Sequence, residues 1–589
     1  MSRASSRSAR TMRAAWALVA VLVLSACAGI PTSGPVTKVA AADDLGQSAV
    51  RYTPARPLPG ASPEQIVRGF LDAMLAFPAS SRTAASFLTP QAARGWSPTT
   101  QVRIYSQPEV AGAADVPAGG DPPGGPDGAV TVRLGFTDDA RLDRQGRYTG
   151  VEAPGAVTYT LERVDGQWRI ADPQDGLLVN QKFFTDYFRP FDLYFFDRPG
   201  RRLVPDPVYL VVGDQLATTL AASLAGGPAA DAQTATRTFM PERAALRPSV
   251  PVSSRGVADV EFTDDFADLP DSSKDRLSAQ LVWTLRQVPG VEGVQVVGGA
   301  TALTAGGDEV QPVQAWGGFG PSTARDRAYA VVDGRVVEAD DGELRPMSGA
   351  WGKDARGARR IAVSQSGVAG VLPGGDEVRL TSRQGKTART IRGQGFVGPD
   401  WDSDGLLWLV DRPAGAVRVR VVEDDGVTTT IPAAGLASLD VTDFKLSPDG
   451  ARYAVTTRSP DGRALYVGRI VRDATDRIAG LQDPVRVATT AQSPRSASWA
   501  STTELAFLGD SEVGAQIYQV AIDGSETTSQ VSRSGSLLPD VGADTLAIGQ
   551  DRSPLLYVTD RRKRLWFLPP GGSWRMLDTP PTTALTIGR

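Results

Sequence analysis

The second half of the chain repeats one short pattern, and this repeat most limits the folds open to it. Four segments each combine a short strand, a turn and a second apolar strand: IAVSQSGVAGVL, DWDSDGLLWLV, FKLSPDGARYAV and SWASTTELAFL. The turn glycines Gly367, Gly405 and Gly450 lie about 40 residues apart, the length of a four-stranded propeller blade. We therefore predict an all-β propeller over residues 318–589, with about five to seven blades.

A first α+β domain is predicted over residues 61–190. Ser62 and Gln65 have the Ser-x-x-Gln spacing of a helix capping box, and apolar residues then recur at helical spacing. Alternating strands follow, with a hairpin turn at Asp165 and Gly166. A helix laid on a curved antiparallel sheet resembles the NTF2-like cone, whose role we interpret here as packing rather than as a ligand pocket.

A second α+β domain is predicted over residues 203–300. Two leucine series at i, i+4, i+8 mark one face of each of two helices, and these series are Leu216, Leu220, Leu224 and Leu277, Leu281, Leu285. The segments LAGGP and SAQLVWTLRQVPGVEGVQVVGG resemble the GerMN domain of sporulation and germination lipoproteins. That resemblance implies a binding module rather than an enzyme.

The N-terminal segment resembles the export signal of a bacterial lipoprotein. Four arginines precede a short apolar run that is too short to span a bilayer, which needs about 20 apolar residues. The run ends in a sequence that resembles a lipobox, formed by Leu24, Ser25, Ala26 and Cys27. We therefore predict a signal peptide over 1–26, diacylglycerol on Cys27 and a flexible lipid-anchored tether over 27–60. A plain secretory signal with an incidental cysteine is the alternative interpretation.

Composition excludes several kinds of chemistry. The chain has no histidine and one cysteine, so it has no Ser-His-Asp triad, no Cys-His triad and no zinc site with histidine ligands. A formal net charge of −4 gives no electrostatic footprint for nucleic acid. Because the chain has 66 Asp and Glu residues, a chance pair of carboxylates says nothing about catalysis. We expect no catalytic residues, no metal and no cofactor beyond the lipid on Cys27.

One acidic motif resembles a calcium loop. Asp400, Asp402, Asp404 and, at the twelfth position, Asp411 match the first and last positions of such a loop. The same residues fall where a propeller blade needs its Asp-Gly turn, and aspartate is short for the last position. We favour the structural interpretation and leave calcium binding open.

One basic run stands out after the signal, from Arg561 to Arg564. Such a run is typical of a charged hairpin tip. The alternative is a contact with anionic lipid or wall polymer, which would weaken as the salt concentration rises.

The order of these parts resembles the LpqB lipoproteins of actinobacteria. The lipobox is followed by AGIPTSGPV, by a helix-led domain that opens ASPEQIVRGFLDAM, by the GerMN-like unit and by the propeller. The resemblance implies a non-enzymatic protein anchored on the extracytoplasmic face of the cell membrane. It also implies a partner, a sensor histidine kinase of the MtrB type, and a role in cell-wall homeostasis and division.

Two alternatives remain open beside the kinase accessory protein. One is a wall-polymer-binding sensor or scaffold with no fixed kinase partner, and the other is a propeller hydrolase that uses two carboxylates. For the accessory protein, the propeller face and the GerMN-like helices are the candidate docking surfaces. The LpqB family supplies no catalytic residues that could be carried over to this chain.

Overall fold

A computed structural model describes residues 54–589, apart from 77–80, 112–113, 116–127, 242–245, 265, 267, 300, 322–326, 383–387, 424–425, 488–490, 526, 530–535 and 551–554. The predicted signal peptide, the lipobox with Cys27 and most of the tether lie outside the described residues. The predictions for them stay predictions. The described chain contains three structural units in the predicted order.

The first unit packs helices against a sheet that is antiparallel apart from one parallel pair of strands. Its helices are α1 (Pro63–Met74), α2 (Arg82–Ala85), α3 (Pro90–Gly95) and α4 (Gln181–Tyr187). Its strands are β1 (Val102–Val110), β2 (Ala114–Asp115), β3 (Val130–Leu142), β4 (Tyr148–Val164), β5 (Gln167–Ile170) and β6 (Leu177–Asn180). The sheet order is β5-β4-β3-β1-β6, and β6 runs parallel to β1.

The predicted capping box is present at the start of α1. The backbone N–H of Ser62 donates to Gln65 Oε1 at 2.8 Å, and the Gln65 N–H donates to Ser62 Oγ. The apolar face of α1 is buried, and the Phe70 ring packs on Trp96 and Tyr159 with centroids 5.4 and 6.1 Å apart. The domain interior beneath α1 is therefore filled by aromatic side chains. Its similarity to an NTF2-like cone stays a prediction.

The second unit begins at residue 188, ahead of its predicted start at residue 203. Its strands are β7 (Phe188–Asp197), β8 (Leu203–Val211), β9 (Thr236–Arg237), β10 (Val257–Phe262), β11 (Gly293–Gly298), β12 (Thr301–Ala302) and β13 (Val310–Pro312). Its helices are α5 (Leu216–Ala225) and α6 (Asp271–Leu285). Strands β8-β7-β9 form one sheet, and β10 pairs in parallel with β11 in another.

Helix α6 explains why β7 belongs to this unit. Gln280 Nε2 donates to the carbonyl of Tyr194 at 3.0 Å, and the Tyr194 N–H donates to Thr284 Oγ1 at 3.2 Å. Beyond the end of the helix, Gln287 exchanges hydrogen bonds of 2.9 and 2.7 Å with the backbone of Asp192. The leucines predicted on one face of each helix are all buried.

The third unit is a propeller of six sheets among the described residues. The first sheet has β14 (Ala328–Val332), β15 (Arg335–Asp340) and β16 (Glu343–Pro346); the second has β17 (Arg360–Val363), β18 (Gly367–Val371), β19 (Glu377–Ser382) and β20 (Ala388–Arg392). The third has β21 (Gly398–Trp401), β22 (Leu407–Asp411), β23 (Arg418–Val422) and β24 (Thr428–Ile431).

The remaining sheets follow the same order along the chain. The fourth has β25 (Asp440–Leu446), β26 (Arg452–Ser459), β27 (Gly462–Arg472), β28 (Ile478–Leu481) and β29 (Val485–Arg486). The fifth has β30 (Gln492–Trp499), β31 (Glu504–Ser511), β32 (Gly514–Ala521) and β33 (Thr527–Ser529). The sixth has β34 (Ala543–Ile548), β35 (Leu556–Asp560), β36 (Leu565–Leu568) and β37 (Arg575–Met576), and the last strand is β38 (Thr582–Ile587).

Strand β38 closes the ring, because it pairs with β14 and so completes the first blade. Strands β38, β17, β21, β25, β30 and β34 are the inner strands and contact one another around the axis. Of the three turn glycines that predicted the repeat, Gly405 and Gly450 lie in turns with φ of +82° and +71°, a region that favours glycine. The prediction for Gly367 was wrong, because this residue begins strand β18, where a Cβ atom would collide with the carbonyl oxygen of Thr381. A closed ring leaves few exposed strand edges.

Candidate functional site

The acidic motif that resembles a calcium loop does not assemble a metal site. Each carboxylate has protein partners, which are the Leu446 N–H for Asp400, Trp408 Nε1 and Arg472 for Asp402, Arg202 for Asp404, and Arg418 with Arg420 for Asp411. In the part of the chain that the structure describes, no three acidic or Cys side chains converge as metal ligands. The geometry supports the structural interpretation of this motif.

One face of the propeller is covered by the second unit, and we call it the docked face. It lies at the carboxyl ends of the inner strands, and its turns include Ser403, Asp404, Asp476 and Ser525. Arg202 of the second unit donates at 2.6 Å to both Asp404 Oδ1 and Ser403 Oγ. Arg201, beside it, pairs with Asp476.

Arg452 is the most deeply buried cation of the docked face. Its side chain is 1% exposed and pairs with the fully buried Asp449 at 3.3 Å. It also donates to the backbone carbonyl of Pro205, in β8 of the second unit. A buried charge is tolerated only when it is paired and hydrogen-bonded, and both conditions are met here.

Strand β8 is the common contact of all three units. Asp206 pairs with Arg147 of the first unit at 2.8 Å and with Arg469 of the propeller at 3.7 Å. Three residues further on, the Tyr209 hydroxyl lies 2.5 Å from Ser525 Oγ in the propeller. The Tyr209 ring also packs on Phe184 of the first unit, with centroids 5.2 Å apart. The three units are therefore joined by specific polar contacts at one strand.

Asp192 lies near this junction and carries a shifted pKa. Burial raises its pKa from the usual 3.8 to about 6, against the attraction of Arg452. Asp206, Glu504 and Asp523 raise it further by repulsion. A carboxyl group is therefore kept partly protonated at mildly acidic pH where the second unit meets the propeller.

The opposite face of the propeller is open and strongly basic. There the amino-terminal halves of all six inner strands surround a cavity of about 680 Å³. We call it the basic channel mouth and define it by its cationic side chains, which are Arg359, Arg360, Lys445, Arg458, Arg463, Arg495 and Lys563. Two carboxylates, those of Asp443 and Asp544, share the lining.

Three of these seven cations are paired. Arg360 lies 3.3 Å from Asp443, and Lys563 lies 3.0 Å from Asp544. Arg495 pairs at 2.8 Å with Asp510, which stands outside the lining. The other four have no carboxylate within 4.0 Å among the residues that the structure describes, and they are Arg359, Lys445, Arg458 and Arg463.

The unpaired cations crowd one another. Burial lowers the pKa of Arg463 below its usual value, and repulsion from Arg458 and Arg495 lowers it further, against a weaker attraction by Asp510. Lys445 stands deeper, where it also lines a narrow space of about 40 Å³ together with Asp400 and Arg589. The positive charge therefore extends from the rim into the channel.

Sequence reasoning did not identify the basic channel mouth. The basic run from Arg561 to Arg564 lies in the turn between β35 and β36, as a hairpin tip should, but only its Lys563 reaches the mouth. The other cations come from blades two, four and five. The adjacent Arg359 and Arg360 before an inner strand were the one local signal, since the rest gather only when the ring closes.

Comparisons with known proteins agree with the three units. The chain matches the family models described as "Lipoprotein LpqB, N-terminal domain" over residues 56–185, "Sporulation and spore germination" over 192–301 and "Lipoprotein LpqB beta-propeller domain" over 334–581. The second match begins inside β7, in agreement with the place of that strand in the second unit.

Curated relatives match over most of their length. Lipoprotein LpqB of Thermobifida fusca (strain YX) is 29% identical, over 92% of this chain and 94% of that protein. Lipoprotein LpqB of Nocardia farcinica (strain IFM 10152) is also 29% identical, over 93% and 92%. Among solved structures, TolB from Acinetobacter baumannii is 10% identical over 59% of this chain and 99% of that chain, with a TM-score of 0.33.

Among the described residues, no helix combines the length and the apolar character that crossing a bilayer requires.

Proposed function

Because the chain belongs to the LpqB family of lipoproteins, we propose that it is a lipid-anchored accessory protein of a membrane sensor kinase. It is held on the extracytoplasmic face of the cell membrane through diacylglycerol on Cys27. There it binds the sensor domain of a histidine kinase of the MtrB type and modulates two-component signalling in cell-wall homeostasis and division. It does so without catalysing a reaction.

The observation that carries this proposal is the contrast between the two propeller faces. The docked face is covered by the second unit, and its carboxylates are taken up by arginines. The basic channel mouth is open and has four cations without an acidic partner among the described residues. A body that is fixed on one side and charged on the other suits a protein that presents a surface to a partner.

Modulation requires a preference between kinase conformations. A binder with equal affinity for two states shifts nothing, however tightly it binds. The accessory protein therefore binds one signalling state of the sensor domain more tightly than the other.

Photo-crosslinking in intact cells tests the proposal. A photoreactive residue replaces Thr583, which is exposed at the basic channel mouth, and a second replaces Arg144 on the first unit as the matched control position. We expect capture of a sensor kinase from position 583, identified by mass spectrometry, and much less capture from position 144. Capture of wall fragments alone, or of no kinase from either position, would contradict the proposal.

The anchor is tested separately by Cys27→Ala. We expect this change to release the protein from the membrane fraction, because two acyl chains at about 0.8 kcal/mol per buried CH₂ supply the attachment. Fractionation followed by immunoblotting measures the shift, with Ser33→Ala as a matched control in the tether. Unchanged membrane recovery for Cys27→Ala would overturn the lipobox interpretation.

A wall-polymer-binding sensor or scaffold is the second candidate function. The positive charge of the basic channel mouth favours it to the extent that the wall polymer is anionic. Retention of the protein on purified wall material, together with no kinase capture in cells, would make this the better description.

A further inference from the structure

The basic channel mouth has the properties of a binding site for an acidic ligand. We infer that it binds an acidic, extended segment of a partner protein, whose carboxylates pair with Lys445, Arg458 and Arg463. The inference rests on the proposed function in one respect, namely that an extracytoplasmic protein partner supplies the segment. It adds the surface and the chemistry of recognition, which the proposed function leaves open.

The basic channel mouth carries positive charge that its own carboxylates do not neutralise. Seven cationic side chains and two carboxylates line one cavity, although the chain as a whole has a net charge of −4. Both carboxylates already accept from cations of the mouth, Asp443 from Arg360 and Asp544 from Lys563. A concave site of one sign concentrates the field and attracts ligands of the opposite sign.

The crowding of arginines at the basic channel mouth does not stabilise the free protein. The pKa of Arg463 is lowered by burial and by repulsion from Arg458 and Arg495, against the attraction of Asp510. Arg463 stays charged at neutral pH, and its charge is less well stabilised here than in water. An anion placed among these side chains would reverse that effect. Groups held in such an unfavourable state in a cleft are candidates for a functional site.

The placement of the cations around the mouth favours an extended ligand. The cations of the mouth come from blades two, four, five and six, and so they surround the entrance rather than converge on one point. One compact anion cannot reach them all, whereas a chain with several spaced carboxylates can. The volume of about 680 Å³ lies within the usual range of ligand sites, about 300–1,000 Å³.

The side chains that line the mouth are hydrogen-bond donors suited to carboxylates. Arginine forks bind carboxylates in a bidentate manner, and hydroxyl groups for further hydrogen bonds come from Ser496 and Thr545. The described lining residues include no aromatic ring, so a stacking platform for nucleotide bases is missing from them. Carboxylates on a flexible backbone match this set of donors.

The test measures peptide binding by the full chain in detergent. The probe is a fluorescent eight-residue peptide of alternating Glu and Gly, and the control probe has Gln in place of Glu. We expect fluorescence anisotropy to show binding of the Glu peptide alone, with an affinity that falls as salt rises, because exposed charges are screened. No binding of the Glu peptide at low salt, or equal binding of both peptides, would overturn the inference.

Two variants locate the site. Arg458→Gln/Arg463→Gln and, separately, Lys445→Gln should each weaken Glu-peptide binding, the double variant by at least about tenfold, which is 1.4 kcal/mol. Arg561→Gln/Arg562→Gln is the matched control, since it removes the same charge from exposed residues outside the mouth and should change affinity less than about twofold. An equal loss in the control would mean general charge attraction and would contradict a site at the mouth.

Inorganic pyrophosphate separates peptide recognition from phosphate recognition. Weak competition by pyrophosphate supports a peptide site. If pyrophosphate displaces the Glu peptide at lower concentration than unlabelled peptide does, the site recognises phosphate and the inference is wrong. Kinase capture in cells with no peptide binding would overturn this inference alone, whereas peptide binding without kinase capture would overturn the proposed function alone.

Discussion

The two faces of the propeller use arginine in opposite ways. On the docked face Arg452 is 1% exposed, pairs with Asp449 and holds the carbonyl of Pro205. At the basic channel mouth Arg458 and Arg463 belong to the same sheet as Arg452, yet neither has a carboxylate partner among the described residues. The comparison teaches that the partner, and not the residue type, decides whether a cation of this ring joins units together or is available to bind a ligand.

Burial explains the asymmetry. Removing a charge from water is costly, and the cost is recovered only by close pairing and further hydrogen bonds. The docked face supplies both, because the second unit brings the Pro205 carbonyl to Arg452 and the Asp206 carboxylate to Arg469. The mouth stays in contact with solvent, so its cations are hydrated and remain available.

The largest effect on stability is expected from Arg452→Met, which removes the buried cation of the docked face. The change keeps the bulk of the side chain but leaves Asp449 buried without its cation and Pro205 without a donor. Losing one partner of a buried pair costs about 3–5 kcal/mol. Denaturant titration of the full chain should show this as a lower unfolding midpoint.

The control for that experiment is Arg477→Met, which removes an exposed ion pair. Arg477 is 81% exposed and lies 3.1 Å from Asp473. Exposed pairs contribute little, so no measurable change is expected. Similar midpoints for the Arg452 and Arg477 variants would show that the docked face does not depend on its buried charge.

A smaller effect is expected from Asp192→Asn, at the junction of the second unit and the propeller. Because the folded-state pKa is about 6 against 3.8, the folded protein holds this proton more tightly than the unfolded chain does. Stability of the wild type should therefore fall as pH rises from about 4 to 6. The variant should lose that dependence and gain up to about 3 kcal/mol at pH 7.

Unfolding midpoints measured across this pH range check the sign. Asp473→Asn is the control, because hydrogen bonds from Thr475 and Arg477 outweigh desolvation and lower the pKa of Asp473 to about 2. The contribution of Asp473 to stability is present above pH 4 and is lost toward pH 2. The control should therefore leave the slope between pH 4 and 6 unchanged. An unchanged slope in Asp192→Asn would refute the assignment of that slope to this carboxyl.

Local sequence predicted the elements better than it predicted the faces. The capping box at Ser62, the leucine series of α5 and α6 and the turn glycines Gly405 and Gly450 are local signals, and the structure confirms each of them. Blade number became visible only with the pairing of β38 and β14, because ring closure joins strands far apart in the chain.

The difference between the faces was not predictable in the same way. Arg452 and Pro205 are 247 residues apart, so no residue near Arg452 in the sequence indicates that the Pro205 carbonyl is its hydrogen-bond acceptor. Likewise, the cations of the mouth become neighbours only when blades two, four, five and six meet around the axis. The predicted start of the second unit, residue 203, leaves out strand β7 for a related reason, since the partner helix α6 of this strand lies about 90 residues further on.

The smallest effect on stability is expected from Arg463→Gln, which removes an unpaired cation of the basic channel mouth. Removing this charge relieves repulsion from Arg458 and Arg495 and removes no ion pair among the described residues, so the free energy of unfolding should stay the same or rise by less than about 0.5 kcal/mol. Any gain should shrink between about 20 and 500 mM salt, because screening weakens the repulsion in the wild type. The same denaturant titration used for Arg452→Met measures both variants. A loss of stability of about 1 kcal/mol or more would mean that Arg463 stabilises the fold. The two faces would then differ in exposure but not in role.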